Sequence, residues 1–165
     1  MRVYTKEQAL QRVAALCSKA EKCVFDIEKK LYQWGMDQDD VDAIIERLLE
    51  EKFIDQERFV RYYVKDKLTF NGWGKQKVWF NLQQKHISSD LFQMVWEEMD
   101  KEQYNEQLVR LLLKKRRSLK SVNPWEEKQK LMRYAAGRGF QIDEIYRALD
   151  VVAAEDDAAG ADGEV

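Results

Sequence analysis

Proline is almost missing from this chain, with Pro124 alone among 165 residues, and only seven glycines accompany it. Sheet-rich folds need turns at short intervals, and turns draw heavily on those two residue types, so the shortage argues for helices. No run of about 18 apolar residues occurs, which leaves no candidate membrane-spanning helix. The opening segment, Met1 to Leu10, lacks the charged, apolar and small-residue zones of a secretory signal, and a cytoplasmic protein is expected. Cysteine is scarce too: Cys17 and Cys23 lack CxxC spacing and read as two reduced, core-type thiols. With His86 the only histidine, no convincing catalytic triad or histidine-based metal site can be assembled. Neither an enzyme nor a bound metal or cofactor is expected.

Two segments imitate ligand sites without meeting their requirements. Gly72-Trp73-Gly74-Lys75 lacks the GxxxxGK[ST] spacing of a phosphate loop and follows no strand. Asp37, Asp39, Asp40 and Asp42 lack the glycine and distal glutamate of a calcium loop, and instead suit the N-terminus of the helix that follows.

What the chain does hold is a repeat. Val41, Ile44, Ile45 and Leu48 have the i, i+3, i+4, i+7 spacing of a helix that buries one stripe. Phe92, Val95, Trp96 and Met99 reproduce it 51 residues later, and Ile145, Ala148, Leu149 and Val152 reproduce it after 53 more. The preceding helix repeats as well, through Ile27 and Leu31, Val78 and Leu82, then Leu131 and Ala135. Gly35, His86 and Gly139 fall at equivalent junctions, each before an apolar residue (Met36, Ile87, Phe140), as a tight turn with an apolar anchor requires. A further helix precedes each pair, carried by Leu10, Val13 and Leu16, by Phe59 and Tyr63, and by Leu108, Leu111 and Leu112.

The unit is therefore three helices, and the expected fold is all-α, with three tandem three-helix modules over 1–53, 54–100 and 101–153. Modules of that size stabilise one another by stacking, and an elongated, curved stack of either hand is expected. Thr5 with Gln8 and Ser18 with Glu21 read as capping boxes, Asn123-Pro124-Trp125-Glu126 as a capped start with proline at the first helical position, and Ser88 or Ser89 as a further cap. Residues 154–165 are rich in alanine, glycine and acids, lack periodicity, and are expected to be disordered.

The formal charge of −2 conceals strong segregation. Between Arg58 and His86 seven bases face one acid, and between Lys114 and Arg138 nine bases face two acids, whereas 1–57 and 87–113 are each acidic by four charges. Helices alternating in sign give one positive and one negative surface, which steer and orient a charged partner. Phe59, Tyr62, Tyr63, Phe70, Trp73, Trp79 and Phe80 interleave with the first basic run, and a mixture of bases and exposed rings can clamp a single strand. Trp73, between two glycines, is the ring expected at the surface.

Four segments over roughly Leu10 to Leu149 resemble the RecX family, regulators of the bacterial recombinase RecA. They are Phe53-Ile54-Asp55-Gln56-Glu57-Arg58-Phe59-Val60 with Tyr63-Val64, Gly72-Trp73-Gly74-Lys75 leading to Lys85-His86-Ile87, Leu31 to Gly35, and Arg138-Gly139-Phe140. The Arg58-Phe59 segment is the most specific. His86 departs from the family's usual glycine, and Gln76 and Lys77 stand where arginines are common. The resemblance implies a protein that lies in the groove of the RecA filament on DNA, bridges adjacent protomers and suppresses ATP hydrolysis, strand exchange and co-protease activity.

On this reading Arg58, Lys65, Trp73, Lys75, Lys77, Lys85, Lys114, Lys115, Arg116, Arg117, Arg133 and Arg138 face the partner, while Glu46, Glu50, Glu97 and Glu98 lie elsewhere. The partner is the RecA filament, with single- or double-stranded DNA as a further contact, no membrane, and a monomeric chain. The alternative is a stand-alone helical protein that binds single- or double-stranded DNA directly.

Overall fold

The structure is a computed structural model; it describes the backbone of residues 1–120 and 123–163 and the side chains of 1–120 and 123–155. Every regular element among the described residues is helical. In chain order they are α1 (Lys6–Lys19), α2 (Val24–Gln33), α3 (Gln38–Glu50), α4 (Gln56–Asp66), a π-turn (Lys67–Asn71), α5 (Lys75–Gln84), α6 (Ser89–Glu97), α7 (Lys101–Ser118), α8 (Pro124–Gly137) and α9 (Ile142–Gly163). No helix among the described residues is long and apolar enough to cross a membrane.

The repeated stripes are the core. Val41, Ile44, Ile45 and Leu48 of α3, Phe92, Val95 and Trp96 of α6, and Ile145, Ala148, Leu149 and Val152 of α9 are all buried, with Met99 half-buried beyond the end of α6. Ile27, Leu31, Val78, Leu82, Leu131 and Ala135 are buried as well. Each fully buried aliphatic side chain stabilises the fold by about 1.5–3 kcal/mol, so these positions supply much of the force that holds the helices together.

The three junctions share one geometry. Gly35, His86 and Gly139 have φ of +78°, +60° and +98°, in the left-handed region that closes a helix. The next N–H turns back in each case: Met36 donates to the Leu31 carbonyl (3.1 Å), Ile87 to that of Leu82 (3.2 Å) and Phe140 to that of Ala135 (3.2 Å). The side chain at each junction depends on what passes over it. At Gly139 the backbone before α5 crosses: Gly74 N–H donates to the Arg138 carbonyl (2.7 Å) and Gln76 N–H to that of Gly139 (3.0 Å). A β-carbon on Gly139 would stand 2.5 Å from the backbone of Lys77, and one on Gly74 2.5 Å from the Gly139 carbonyl carbon. At Gly35 the N-terminal segment crosses, with Val3 N–H donating to the Trp34 carbonyl (2.9 Å), and a β-carbon there would collide with Met1. His86 is exposed and rests its ring on Phe25 at 4.9 Å, so a side chain fits there.

Helix starts follow the polar residues before them. Thr5 and Gln8 form the expected capping box, Asp37 accepts from Asp40 N–H, Ser88 from Leu91 N–H, and Asn123 from Glu126 N–H. Ser18 departs from expectation. It lies inside α1, where its hydroxyl donates to the Ala14 carbonyl (3.1 Å), and α2 begins only after Cys23, with Val24 N–H donating to the Gln56 side chain instead (2.9 Å). A distant glutamine thus does the work assigned to a local cap. At the other end α9 extends to Gly163, where the composition suggests disorder from residue 154; extending a packed helix costs less than nucleating one, and alanine favours it. Residues 164–165 lie outside the described residues.

The chain forms two compact units. The first comprises Met1–Val64 and Leu82–Trp96, the second Lys65–Asn81 and Glu97–Val165. The core of the first is built on Val13, Ile27, Leu31, Val41, Ile44 and Leu48. In the second, α7 pairs most extensively with α9, and Tyr104 stacks on Phe140 with ring centroids 5.4 Å apart.

His86→Gly should raise stability by about 1 kcal/mol, because a left-handed residue with a β-carbon is strained, whereas Gly139→Ala should lower it by at least about 2 kcal/mol through strain and collision; urea midpoints will show both. Burial pushes the Cys23 thiol up to about 12 and raises that of Cys17. The folded chain therefore keeps thiol protons that the unfolded chain begins to release near 9.0, a contribution complete below that pH and lost as pH rises toward 12. Since the thiolate is the reactive form, a disulfide reagent near neutral pH should react slowly with the native protein and fully in urea.

Candidate functional site

The second unit gathers most of the expected basic residues, beginning where α4 gives way to the π-turn. An uninterrupted α-helix would place Phe70 about 20° from Phe59 around the helix axis, on the buried face. The π-turn changes that phase, and Phe70 is 81% exposed. Gly72 ends the turn at φ +64°, and Trp73 N–H closes it by donating to the Lys67 carbonyl (3.1 Å). Both sides of the turn are tied down, because the Gln107 amide donates to the Leu68 carbonyl and the Arg138 guanidinium donates to that of Asn71 (2.6 Å).

Between this turn, α7 and α8 lies a groove of about 510 Å³ lined by residues that include Phe70, Leu111, Lys114, Lys115, Tyr134 and Arg138. Tyr134 organises its cations: the Lys115 ammonium stands 5.1 Å and the Arg138 guanidinium 5.3 Å from its ring centre, contacts that stabilise a cation against a π-face. Lys114 is exposed and forms no ion pair among the described residues.

The opposite flank of α7 carries the other sign. Glu102 and Glu106, with Glu144 of α9, line a second groove of about 460 Å³ whose apolar surface includes Val109, Ala148 and Val151. At 100° per residue, the side chains lining the two grooves lie on nearly opposite faces of α7. Segregation of charge along the sequence thus becomes, within this unit, segregation across one helix.

The remaining expected residues divide by unit. Trp73 is half-buried, with the ammonium groups of Lys67 and Lys77 at 5.2 and 4.8 Å from its ring; Phe70 is the far more exposed ring. Lys75 donates its N–H to the Tyr104 hydroxyl (3.0 Å). Arg116 pairs with Glu127 at 3.7 Å, while Lys65, Arg117 and Arg133 are exposed. Arg58 and Lys85 belong to the first unit, where each closes an ion pair: Arg58 with Glu21 at 2.6 Å and Lys85 with Asp26 at 2.6 Å. Arg58 also donates to the carbonyls of Lys52 (3.2 Å) and Phe53 (3.4 Å), holding the turn before α4. Among the described residues no group of three or more His, Cys, Asp or Glu side chains is placed to hold a metal ion.

The profile of the RecX second three-helix domain matches residues 55–95, and that of the RecX third three-helix domain matches residues 102–149. The chain belongs to the RecX family. It is similar to Regulatory protein RecX of Clostridium botulinum (strain Eklund 17B / Type B), 33% identical over 129 residues that cover 77% of this chain and 58% of that protein. It is 24% identical over 147 residues to Regulatory protein RecX of Vibrio parahaemolyticus, covering 88% of this chain and 89% of the relative. The chain spans about six tenths of the length of the clostridial relatives. Its fold is shared with the crystal structure of RecX from Lactobacillus salivarius, at a TM-score of 0.77 and 19% identity over 90% of this chain and 96% of that one, and with another crystal structure of regulatory protein RecX at 0.80 and 21% over 88% and 73%.

The basic groove draws on both matched RecX domains: Phe70 comes from the second, and Leu111, Lys114, Lys115, Tyr134 and Arg138 from the third. Phe70, Tyr134 and Lys67 were missing from the expected partner-facing set. For Lys67 and Tyr134 the signal available was their place within the basic runs, whereas the exposure of Phe70 depends on a change of helical phase.

Burial drives the pKa of the Tyr104 phenol upward, and the charge of Glu144 adds to the effect, so this hydroxyl stays protonated while it accepts from Lys75. Tyr104→Phe keeps the stacked ring but removes the hydroxyl that accepts from the Lys75 N–H, and should cost about 1–3 kcal/mol in a urea titration.

Proposed function

We propose that this protein binds the RecA nucleoprotein filament in its groove and lowers its ATP hydrolysis, strand exchange and co-protease activity in DNA repair and the SOS response. Membership of the RecX family, carried by two consecutive three-helix domains, is the observation on which this rests. The basic flank of α7 supports it, because a recombinase filament on DNA is a large, charged and periodic partner.

The proposal needs no reaction carried out by this chain. A monomeric cytoplasmic protein that binds one arrangement of the filament better than another shifts the population toward it, by no more than its difference in affinity. If the favoured arrangement turns ATP over poorly, inhibition follows. Lys65, Lys75, Lys77, Lys114, Lys115, Arg117 and Arg133 are the residues we assign to the contact, with Trp73 supporting Lys77 and Arg138 holding the turn that carries Phe70. Arg58, Lys85 and Arg116 act through their ion pairs, by holding helices and turns in position. A direct DNA contact is the second reading, favoured by the exposed Lys65, Lys114, Arg117 and Arg133.

Titrating the protein into cognate recombinase on single-stranded DNA should suppress ATP hydrolysis at less than one molecule per protomer. Reversing Lys114, Lys115 and Arg117 to glutamate should restore most of the turnover, while Arg116 is left to its partner. Unchanged turnover at saturation would overturn the proposal. Binding to DNA alone that weakens steeply with salt would establish the second reading.

A further inference from the structure

The groove beside the π-turn joins two properties that a purely electrostatic surface would not need. Phe70 is the most exposed aromatic side chain among the described residues, at 81%, yet the turn that carries it is fastened on both sides, by Gln107 at Leu68 and by Arg138 at Asn71. Leu68 is buried, so the backbone beside the ring has little freedom to turn it inward. A large apolar ring held outward by a fastened turn has the attributes of an interface anchor.

The cations share the site with apolar surface. Leu111 and the Tyr134 ring line the same groove as Phe70, while Lys115 and Arg138 lie over Tyr134 and Lys114 is exposed. Single-strand binders use a longer arrangement, a positive track that follows the backbone with rings spaced to receive successive bases. Here Lys114, Lys115 and Arg138 line a single groove of about 510 Å³ together with one exposed ring, Phe70, a volume suited to a few side chains.

We propose that this groove is a docking slot for an acidic protein segment, in which one apolar side chain packs against Phe70 and Leu111 while flanking aspartate or glutamate carboxylates meet Lys114 and Lys115. The slot deepens the filament reading, on which it rests only for the identity of the protein that supplies the segment. Arg138 and Tyr134 act as positioning residues: Arg138 fixes the turn that presents the ring, and Tyr134 fixes Lys115.

The test measures fluorescence anisotropy of a short labelled peptide, a leucine flanked by glutamates, with the whole chain. The probes for comparison are the same peptide with serine in place of leucine, and unlabelled oligothymidylate as competitor. Phe70→Ala, and Lys114→Glu combined with Lys115→Glu, should each weaken the leucine peptide by about tenfold or more. The serine peptide should bind at the level to which Phe70→Ala reduces the leucine peptide, and oligothymidylate should not displace either. Because Phe70 is exposed, its alanine variant should retain the thermal midpoint of the parent. Absence of peptide binding, an affinity unmoved by Phe70→Ala, or displacement by oligothymidylate would each overturn the slot. The filament reading is judged separately: Phe70→Ala protein that suppresses recombinase turnover fully sinks the slot alone, and parent protein without effect on turnover sinks the filament reading while peptide binding still decides the slot.

Discussion

Two backbones cross in the second unit at a distance that admits no side chain. Gly74 and Gly139 meet there, and the hydrogen bonds from Gly74 and Gln76 to the carbonyls of Arg138 and Gly139 form only at that approach. The crossing brings the start of α5 to the turn between α8 and α9. It places Lys75 N–H at the Tyr104 hydroxyl, and Arg138, which leaves the same turn, at the Asn71 carbonyl. Without that approach the π-turn would lose its hold at Asn71 and Phe70 would lose its fixed place beside Lys114 and Lys115. The polar groove therefore depends on a contact made by atoms that carry no charge.

The same logic separates the junctions. Three equivalent turns adopt the left-handed conformation, but Gly35 and Gly139 lie under a crossing chain, whereas His86 is exposed. At the middle junction conformation alone would favour glycine, whereas the other two junctions also need the absent β-carbon for clearance. His86 accepts the conformational strain and gains a ring contact with Phe25 in return.

Much of this could be read from the residues in order. The interval between Val41, Phe92 and Ile145 located the buried stripes, and the coincidence of Gly35, His86 and Gly139 located the turns, because both follow from a helical period that the chain keeps for many residues. Reading failed where a non-local contact or a change of phase took over. Ser18 had a plausible glutamate three residues on, yet α1 ran through it and α2 took its acceptor from Gln56. Trp73 had glycine on either side and was expected at the surface, but Lys67 and Lys77 approach its ring. Phe70 kept the period of a buried residue until the π-turn altered the register. The basic residues were legible as a set, but their roles were not: an arginine that holds a turn and a lysine exposed beside it have the same sequence signature.

The repeat and the compact units are out of step. The middle group of helices lends α4 and α6 to the first unit, and the π-turn with most of α5 to the second. Contacts that complete the second unit span 29, 39 and 67 residues, from Lys75 to Tyr104, Leu68 to Gln107 and Asn71 to Arg138. On a ribosome, the segment bearing Phe70 therefore emerges well before the residues that fasten it, and waits for α7 and then for the end of α8. Its order is acquired late and over long loops, which is the slow part of folding in such a topology. A groove assembled from two domains in this way is complete only once the chain has been synthesised past Arg138.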